Sequence, residues 1–326
     1  MTGTLTKRKI IIDTDPGIDD AMAIHLAFAH PGIEVMGLTT IFGNVQTRTA
    51  TRNALALVEM AAAGVPVAHG AEHPLVHAAS PPADFVHGVE GFGDVSVVGP
   101  DAAPDPRSAA AFIVDTINRN PGDVTVCAVG PLSNLALALQ RDPGIAGRVR
   151  NVVVMGGAID TPGNVSEWAE ANIWGDPHAA DAVFAAPWNV TLVGLDVTEQ
   201  VRCYPADLAT VADNAPSIGG FLNEASRFYF GFHRDRHGLD ACFTHDPSAI
   251  VAVTNPELFT TSASALRVTE DGEHRGQIVR CTDAERRAVD VCLGVNEDGV
   301  REVFLSTLLN ADVAMAVRQE EGKGVR

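Results

Sequence analysis

Cysteine is scarce in the sequence, and no two cysteines are closely paired. The 326 residues include five, at Cys127, Cys203, Cys242, Cys281 and Cys292. The number is odd and no Cys-x-x-Cys motif occurs, which argues against a disulfide framework and against a zinc knuckle. We therefore expect a protein of a reducing compartment, with the cytoplasm as its predicted location.

Positive charge is also scarce. The chain has 23 Lys and Arg residues against 41 Asp and Glu residues, which gives a formal net charge of -18. A surface this acidic argues against nucleic acid and against anionic membranes as partners, because both are recognised through basic patches. It is compatible with the binding of cations.

Long apolar runs are missing as well. The first residues, "MTGTLTKRK", contain no apolar segment followed by a small-residue cleavage site, and the apolar run after them is soon interrupted by charge. We expect neither a signal peptide nor a membrane span. The chain is 46% hydrophobic and 20% charged, which is typical of a globular protein with a large core. Without a linker or repeat, we expect residues 1–326 to form a single domain.

Strand and helix patterns alternate along the first part of the chain. "KIIIDTD" is a short apolar run typical of a central parallel strand, and "DDAMAIHLAFAH" has helical spacing. "IEVMGLTTIFG" then predicts a second strand, and "TRTATRNALALVEMAAAG" predicts a helix capped by Gly64. This alternation predicts an α/β fold with an open, mostly parallel, twisted sheet, a Rossmann-like core flanked by helices.

The remainder of the chain continues this pattern with two differences. From Ala71 to Arg107 the periodicity stops in a stretch rich in Gly, Pro and His, which predicts a long functional loop. Near the C-terminus, "ALRVTED" and "AVDVCLGV" predict a small antiparallel element. "GVREVFLSTLLNADVAMAVRQ" predicts one final helix.

Four aspartates gather where the first strand ends, at Asp13, Asp15, Asp19 and Asp20. Helix capping would account for one or two of them, at about 0.3–1 kcal/mol each. It does not account for four, because carboxylates at close range raise one another's pKa. A hard cation such as Ca²⁺ accepts six to eight oxygen ligands and would offset the repulsion. The spacing does not match an EF-hand loop, so we predict a site built from several strand ends.

Two distant segments offer further polar groups. In "THDPSAI", Asp246 is either a helix cap or another carboxylate ligand, and His245 is either structural or a general acid. In "GNVSEWAEANIWGD", Asn164, Glu170 and Asn172 offer the donors and acceptors that sugar hydroxyls need, although an ordinary polar loop would look similar.

Taken together, the sequence closely resembles the nucleoside hydrolases of the inosine-uridine-preferring type. The resemblance extends from Lys9 to about Val317. The motifs that carry it, in family order, are "DTDPGIDDAMAI", "TTIFGNV" with "TRNA", "HGVEGFG", "VGPLSNLALAL", "VMGGA", "GNVSEWAEANIWGDPHAA" and "HDP". It implies hydrolysis of a ribonucleoside to ribose and free base with one bound Ca²⁺.

The resemblance also implies a role for individual residues. The implied calcium ligands are the carboxylates of Asp15, Asp20 and Asp246 and the backbone carbonyl of Val129, where the family often has Thr. The residues implied to hold the ribose are Asp19, Asn44, Asn164, Glu170 and Asn172. Asp13 is implied to orient its neighbours. His87, in the "HGxxG" segment, is implied to lie near the base on a mobile lid, where Glu90 replaces the more usual Asp.

The implied chemistry is cleavage of an N-glycosidic bond through an oxocarbenium-like transition state. Asp15 would take a proton from a calcium-activated water, and His245 would protonate the departing base. The long loop and the segment around Tyr229, Phe232, His233 and His237 would form walls over the base, unless those side chains only pack against their helix. The family is usually oligomeric, so we expect a homodimer or homotetramer.

Three alternatives differ from this hypothesis. The substrate could be another N-riboside, such as nicotinamide riboside or a modified nucleoside. The protein could instead bind calcium or nucleosides without catalysis. A phosphatase of the haloacid-dehalogenase type also has an aspartate pair at a strand end, but its compact DxDx[TV] signature fits "DTDPGIDD" poorly.

Overall fold

The strands of the protein form one large sheet and one small sheet. The computed structural model describes residues 7–323. Residues 1–6, which belong to the segment expected to lack a signal peptide, lie outside the described range. The strands are β1 (Arg8–Thr14), β2 (Ile33–Thr40), β3 (Val67–Ala68), β4 (Val124–Ala128), β5 (Asn151–Met155), β6 (Val190–Val193), β7 (Arg202–Cys203), β8 (Cys242–Phe243), β9 (Phe259–Val268), β10 (Ile278–Cys281) and β11 (Val289–Val295).

Helices follow most of the strands. They are α1 (Ile18–Ala29), α2 (Thr47–Met60), α3 (Asp84–His87), α4 (Ala109–Arg119), α5 (Ser133–Arg141), α6 (Ala171–Gly175), α7 (Pro177–Ala185), α8 (Leu195–Thr198), α9 (Pro205–Asn214), α10 (Pro216–His237), α11 (His245–Thr254), α12 (Glu297–Leu309) and α13 (Ala311–Lys323). Among the described helices, none combines the length and the apolar character that crossing a bilayer requires.

The large sheet has nine strands in the order β10-β9-β11-β6-β5-β4-β1-β2-β3. From β3 to β6 all neighbours are parallel, and their order, 3-2-1-4-5-6, is that of a Rossmann-like sheet. The order reverses between β1 and β4. In such sheets a ligand binds in the crevice at the carboxyl ends of the strands where this reversal occurs. The predicted fold class is confirmed.

The first strand is apolar without alternation because both of its faces are covered. Ile10 and Ile12 belong to a core cluster shared with α1 and α11, whereas Ile11 belongs to the cluster on the other face, with α4 and α5. All three are fully buried. The apolar run therefore extends up to the point where the aspartates begin.

The C-terminal strands extend the same sheet. β11 pairs in parallel with β6 and antiparallel with β9, and β9 pairs antiparallel with β10. The predicted antiparallel element is thus one edge of the large sheet. A separate two-stranded antiparallel sheet joins β7 to β8.

Two predicted helix ends differ from the structure. Helix α2 ends before Gly64, and Ala62 takes the left-handed conformation at φ +47°. The N–H of Ala63 donates to the carbonyl of Val58 at 3.0 Å, which closes the helix. The predicted final helix is two helices, α12 and α13, separated at Asn310, whose side chain donates to the carbonyl of Ser306 at 2.8 Å.

Candidate active site

Three carboxylates from two distant parts of the chain converge at the carboxyl end of β1. Asp19 and Asp20 lie in the first turn of α1, and Asp246 lies in the first turn of α11. One oxygen of each lies within 4.8 Å of the others, and all three side chains are buried. Carboxylate oxygens in this arrangement form a group able to hold a metal ion.

The Asp20 carboxylate is fixed by donors from the same strand end. Its Oδ1 accepts from the Thr14 hydroxyl at 2.5 Å, and its Oδ2 accepts from the Gly17 N–H and the Asn44 side-chain amide, each at 3.0 Å. Asn44, which the sequence places after β2, therefore lies in the cluster. These contacts fix the orientation of Asp20.

The side chain of Asp15 lies next to the cluster and lines a cavity. Its Oδ2 accepts from the Asn44 N–H at 2.6 Å, while its buried Oδ1 has no partner. Close approach to this carboxylate requires glycine on two sides. A Cβ on Gly43 would lie 2.0 Å from Oδ2, and one on Gly130 would lie 2.7 Å from Oδ1.

The cavity has a volume of about 850 Å³. Asp15, Asn44 and Asn172 line it together with Phe42 and Trp174 and with several residues of the long loop. Those loop residues are Glu72, His73, Ala79, Ser80, Pro81, Pro82, Ala83 and Phe85. The volume is within the range of small-molecule sites. The long loop therefore lines this cavity, whereas the aromatic residues of α10 do not.

Burial dominates the electrostatics of the cluster. It raises the pKa of Asp19 to about 8, with the charge of Asp20 adding to the effect. Burial likewise raises the pKa values of Asp15 and Asp246 well above their usual range and raises that of Asp20. Among residues 7–320, whose side chains the structure describes, no Lys or Arg forms an ion pair with any of these carboxylates. Negative charge held without a positive partner fits a bound cation.

The segment after β5 supplies a second wall. The side-chain amide of Asn172 donates to the carbonyl of Val129 at 3.0 Å and to that of Met155 at 3.2 Å. Glu170 is buried and begins α6, where it accepts from the N–H groups of Asn172 and Gly157 at 2.9 and 2.8 Å. The Val129 carbonyl thus lies beside Asn172, at the end of β4.

Asn164 is exposed and lies at the start of this wall. Its Oδ1 accepts from the N–H of Ala171 at 3.0 Å, so it supports the first turn of α6. Its neighbour Val165 lines the cavity. Asn164 is therefore connected to the site through α6.

His245 is held by a hydroxyl group. Its Nδ1 lies 2.8 Å from the Thr198 Oγ1 at the end of α8. Burial, followed by the neighbouring charges of His233, His87 and His237, lowers its pKa to about 3. The ring is therefore neutral at neutral pH in the protein alone.

An aromatic cluster on α10 extends from His245 to α3. Tyr229 is buried and stacks on His87, with ring centroids 5.4 Å apart. His87 Nδ1 accepts from the N–H of Ile18 at 3.2 Å and lies 3.9 Å from Asp19 Oδ1. His87 thus packs on the first turn of α1, beside the carboxylate cluster.

His233 has a structural environment within this cluster. Its Nδ1 donates to the carbonyl of Tyr229 at 3.0 Å, and its Nε2 accepts from the N–H of Phe243 at 3.4 Å. Both ring nitrogens are used. His237 is exposed, and its ring lies 5.6 Å from that of Phe243. Of the side chains considered as base contacts, His233 matches the packing alternative.

Asp13 occupies a different environment from the other aspartates. Its Oδ1 accepts from the Thr39 hydroxyl at 2.5 Å and from the Asn134 amide at 2.8 Å, and its buried Oδ2 has no partner. Burial raises its pKa to about 7. Its hydrogen bonds within residues 7–323 therefore join β1 to β2 and α5, and none joins it to another aspartate.

The whole core of the chain matches a known family model. The model described as inosine-uridine preferring nucleoside hydrolase matches residues 10–302. The match includes β1, the carboxylate cluster and α11. The chain belongs to this family.

Relatives of this nucleoside hydrolase confirm the activity that its sequence implies. It is 45% identical to uridine nucleosidase 1 of Arabidopsis thaliana over 81% of this chain and 79% of that one. It is 39% identical to the inosine-uridine preferring nucleoside hydrolase of Leishmania major over 81% and 84% of the two chains. It is therefore an enzyme that hydrolyses the N-glycosidic bond of ribonucleosides.

Solved structures agree with this assignment. A plant nucleoside hydrolase superposes with a TM-score of 0.90 at 38% identity, covering 93% of this chain and 99% of that one. The purine-preferring ribonucleoside hydrolase of Gardnerella vaginalis superposes with a TM-score of 0.90 at 31% identity, covering 94% and 100%.

Sequence reasoning missed several polar contacts of this nucleoside hydrolase. Thr14 stands inside "DTDPGIDD", so its position between two aspartates was an available signal. Thr198 follows a four-residue strand and gave no such signal, because only the fold brings it to His245. Asp196, which follows β6, accepts from the N–H groups of Ile159 and Asp160 at 2.9 and 2.7 Å.

Proposed function

We propose that this ribonucleoside hydrolase uses one Ca²⁺ held by Asp15, Asp20, Asp246 and the carbonyl of Val129. The observation that carries this proposal is the convergence of the buried carboxylates of Asp19, Asp20 and Asp246 next to Asp15, which lines the cavity, with no Lys or Arg partner among residues 7–320. Oxygen-only ligands favour a hard cation over zinc or copper. When bound, calcium would lower the pKa of a water and grip the ribose diol.

Asp15 is the proposed general base. Its unpartnered Oδ1 is free to accept a proton from the attacking water, while the Asn44 N–H holds Oδ2. The ribose would be held by Asp19, Asn44, Asn164, Glu170 and Asn172. The carboxylates around it would stabilise the positive charge that develops on the sugar as the glycosidic bond breaks.

His245 is the proposed leaving-group acid. To act as the acid the ring must first take up a proton; Nδ1–H would then donate to the Thr198 hydroxyl, and Nε2, the nitrogen that Thr198 leaves free, would carry the acidic proton. The departing base would receive that proton. His87 would lie on the base side of the site, next to Asp19.

Uridine is the proposed first substrate. Plant relatives 45% and 44% identical to this chain are named uridine nucleosidase or probable uridine nucleosidase. Relatives named inosine-uridine preferring or purine-preferring leave inosine as the second choice. If neither uridine nor inosine is hydrolysed, the substrate would be another N-riboside, or the protein would bind nucleosides without turnover.

A nucleoside panel tests the activity and the metal together. The panel contains uridine, inosine, cytidine and nicotinamide riboside, and free ribose is measured with and without a calcium chelator. We expect ribose release that the chelator abolishes and added calcium restores. Activity that is indifferent to chelation would refute the metal role, and binding without ribose release would refute catalysis by this protein.

Asp15→Asn tests the base. The amide keeps the shape of the side chain and cannot accept the proton, so we expect kcat to fall by about 10²–10⁴-fold with the nucleoside still bound. The control is Asp235→Asn on the exposed face of α10. Wild-type turnover in Asp15→Asn would exclude Asp15 as the base.

We also propose that the chain forms a single domain, is cytoplasmic, and assembles as a homodimer or homotetramer. The single domain is supported by the nine-stranded sheet, which contains both β1 from the start of the chain and β11 from near its end. The oligomer is supported only by family resemblance. Light scattering coupled to size-exclusion chromatography would give the mass, and a mass of 34.2 kDa would exclude an oligomer.

A further inference from the structure

The turn that joins β9 to β10, residues 269–277, packs against the wall that contains Glu170 and Asn172. Gly276 has a φ of +80°, and a Cβ there would lie 2.8 Å from the Cα of Trp174 and 2.9 Å from the Cβ of Ala169. Only glycine both takes this conformation and fits. The turn therefore touches the residues on either side of the Glu170–Asn172 pair.

Arg275 holds Trp174 in two ways. Its guanidinium carbon lies 4.3 Å from the centroid of the Trp174 ring, and its Nη2 donates to the Trp174 carbonyl at 2.9 Å. A guanidinium that stacks on an aromatic ring and also bonds the same residue's backbone limits both side-chain and main-chain movement. Trp174 lines the cavity, two residues after Asn172.

Two further contacts support the same wall. The His274 ring lies 4.5 Å from that of Trp168. Ile278, the first residue of β10, packs directly against Gly157. A Cβ added to Gly157 would lie 2.4 Å from the Cδ1 of Ile278. The N–H of Gly157 in turn donates to Glu170. The hairpin is thus linked to the Glu170 carboxylate through one residue.

The same turn reaches the long loop on the other side of the cavity. His77 Nε2 lies 3.0 Å from the carbonyl oxygen of Glu270 and 3.3 Å from Asp271 Oδ1. Glu270 Oε2 also lies 3.5 Å from His178 Nε2 in α7. One turn therefore contacts both the wall formed by residues 163–175 and the loop whose residues 79–83 line the cavity.

We propose that the β9–β10 turn is a positioning element for the ribonucleoside site and that Arg275 is its principal positioning residue. Arg275 acts through Trp174, fixing the wall on which Glu170 and Asn172 are held, and the turn ties that wall to the long loop through His77. This inference rests on the proposed ribose-binding roles of Glu170 and Asn172.

Steady-state kinetics of Arg275→Ala, Arg275→Lys and Arg267→Ala test it, with the best ribonucleoside of the panel. Arg267 belongs to the same hairpin, is about half exposed and pairs with Asp283 instead of the wall, which makes it the matched control. In Arg275→Ala we expect KM to rise about tenfold while kcat stays within about threefold of the wild-type value. The reason is that the wall would contact the bound nucleoside and not the attacking water. Arg275→Lys should be intermediate, since an ammonium keeps the carbonyl contact and loses the planar stacking. Arg267→Ala should keep both constants.

Hydrogen exchange measured by mass spectrometry adds a local readout. Peptides from residues 163–175 should exchange faster in Arg275→Ala than in Arg267→Ala, while those from β1 and β4 stay unchanged. If Arg275→Ala does not fold, His274→Ala removes the ring contact with Trp168 and a hydrogen bond to Gln277 within the turn, and it should raise KM about threefold. A folded variant with wild-type KM and unchanged exchange would overturn the positioning role. A wild-type protein that releases no ribose would instead overturn the proposed function.

Discussion

At the scale of single residues, neutral donors do much of the orienting in this site. Thr14 and Asn44 hold Asp20, and Thr198 holds His245. Each donor fixes a group that carries charge or a proton in the proposed reaction. Because a hydroxyl or an amide brings no charge of its own, the negative field of the cluster remains available to a cation and to the developing positive charge on the sugar.

Thr198 gives a prediction that separates orientation from packing. Thr198→Val keeps the shape of a side chain that is fully buried and removes the hydroxyl at His245 Nδ1. We expect kcat to fall about tenfold with KM little changed, since the ring would no longer be held in one orientation by a hydrogen bond at Nδ1.

Thr198→Ser is the matched control, because it restores the hydroxyl and loses only a methyl group. Steady-state assays of both variants check this prediction. Equal kcat values for Thr198→Val and the wild type would contradict a role for this hydroxyl.

At the scale of elements, the sequence predicts the central features and misses those that depend on distant contacts. The apolar run of β1 and the aspartates after it predict both the strand and the buried site, because a strand covered on two faces has a direct signature. The end of α2, in contrast, has no such signature. The left-handed conformation that ends a helix favours glycine, which points to Gly64, but Ala62 takes that conformation. The residues alone left Asp246 as either a helix cap or a ligand, and only the family resemblance grouped it with Asp15 and Asp20, because spacing carries no information across such a distance.

The ends of α1 and α2 share a cap that no local pattern indicates. Neither helix has a basic residue in its last turn. Arg318 of α13 supplies the positive charge instead, donating to the carbonyl of Phe28 at 2.5 Å and to that of Ala61 at 2.9 Å. One guanidinium thus satisfies carbonyls at the C-terminal ends of two helices.

Arg318→Ala should therefore lower the free energy of unfolding by about 2 kcal/mol, since it leaves two partly buried carbonyls without a charged donor. Urea denaturation followed by circular dichroism measures the change. Arg236→Ala, at an exposed position on α10, is the control and should be neutral. If both variants have the same midpoint, the shared cap contributes nothing to stability.

At the scale of the whole molecule, the buried carboxyls make stability depend on pH. In the unfolded chain an aspartate titrates near 3.8, whereas burial raises the pKa of Asp13 to about 7 and that of Asp19 to about 8 in the folded protein. Below about pH 6.5 buried histidines oppose this effect, because His87 and His245, whose pKa values are lowered to about 3, are neutral in the folded protein and charged in the unfolded chain. Between about pH 6.5 and 8 the histidines are neutral in both states, and the folded state binds more protons than the unfolded state. Its stability therefore decreases as the pH rises.

We expect the Tm of chelated protein to fall as the pH increases from about 6.5 to about 8. Calcium should raise the Tm most at the upper end of this range, because it replaces the protons that the carboxyls lose. Differential scanning fluorimetry across this range, with chelator or with calcium, measures both effects. A chelated protein that gains stability over the same range would contradict the assignment of raised pKa values.

The convergence of Asp246 on Asp19 and Asp20 also has a kinetic consequence. More than two hundred residues separate these carboxylates along the chain, so the complete ligand set exists only after α11 has docked against the sheet. A contact of such sequence separation forms late, and an ion that needs it cannot guide the earlier steps of folding. The ion would therefore stabilise the folded state and not the transition state for folding. Its removal should accelerate unfolding and leave the rate of refolding nearly unchanged.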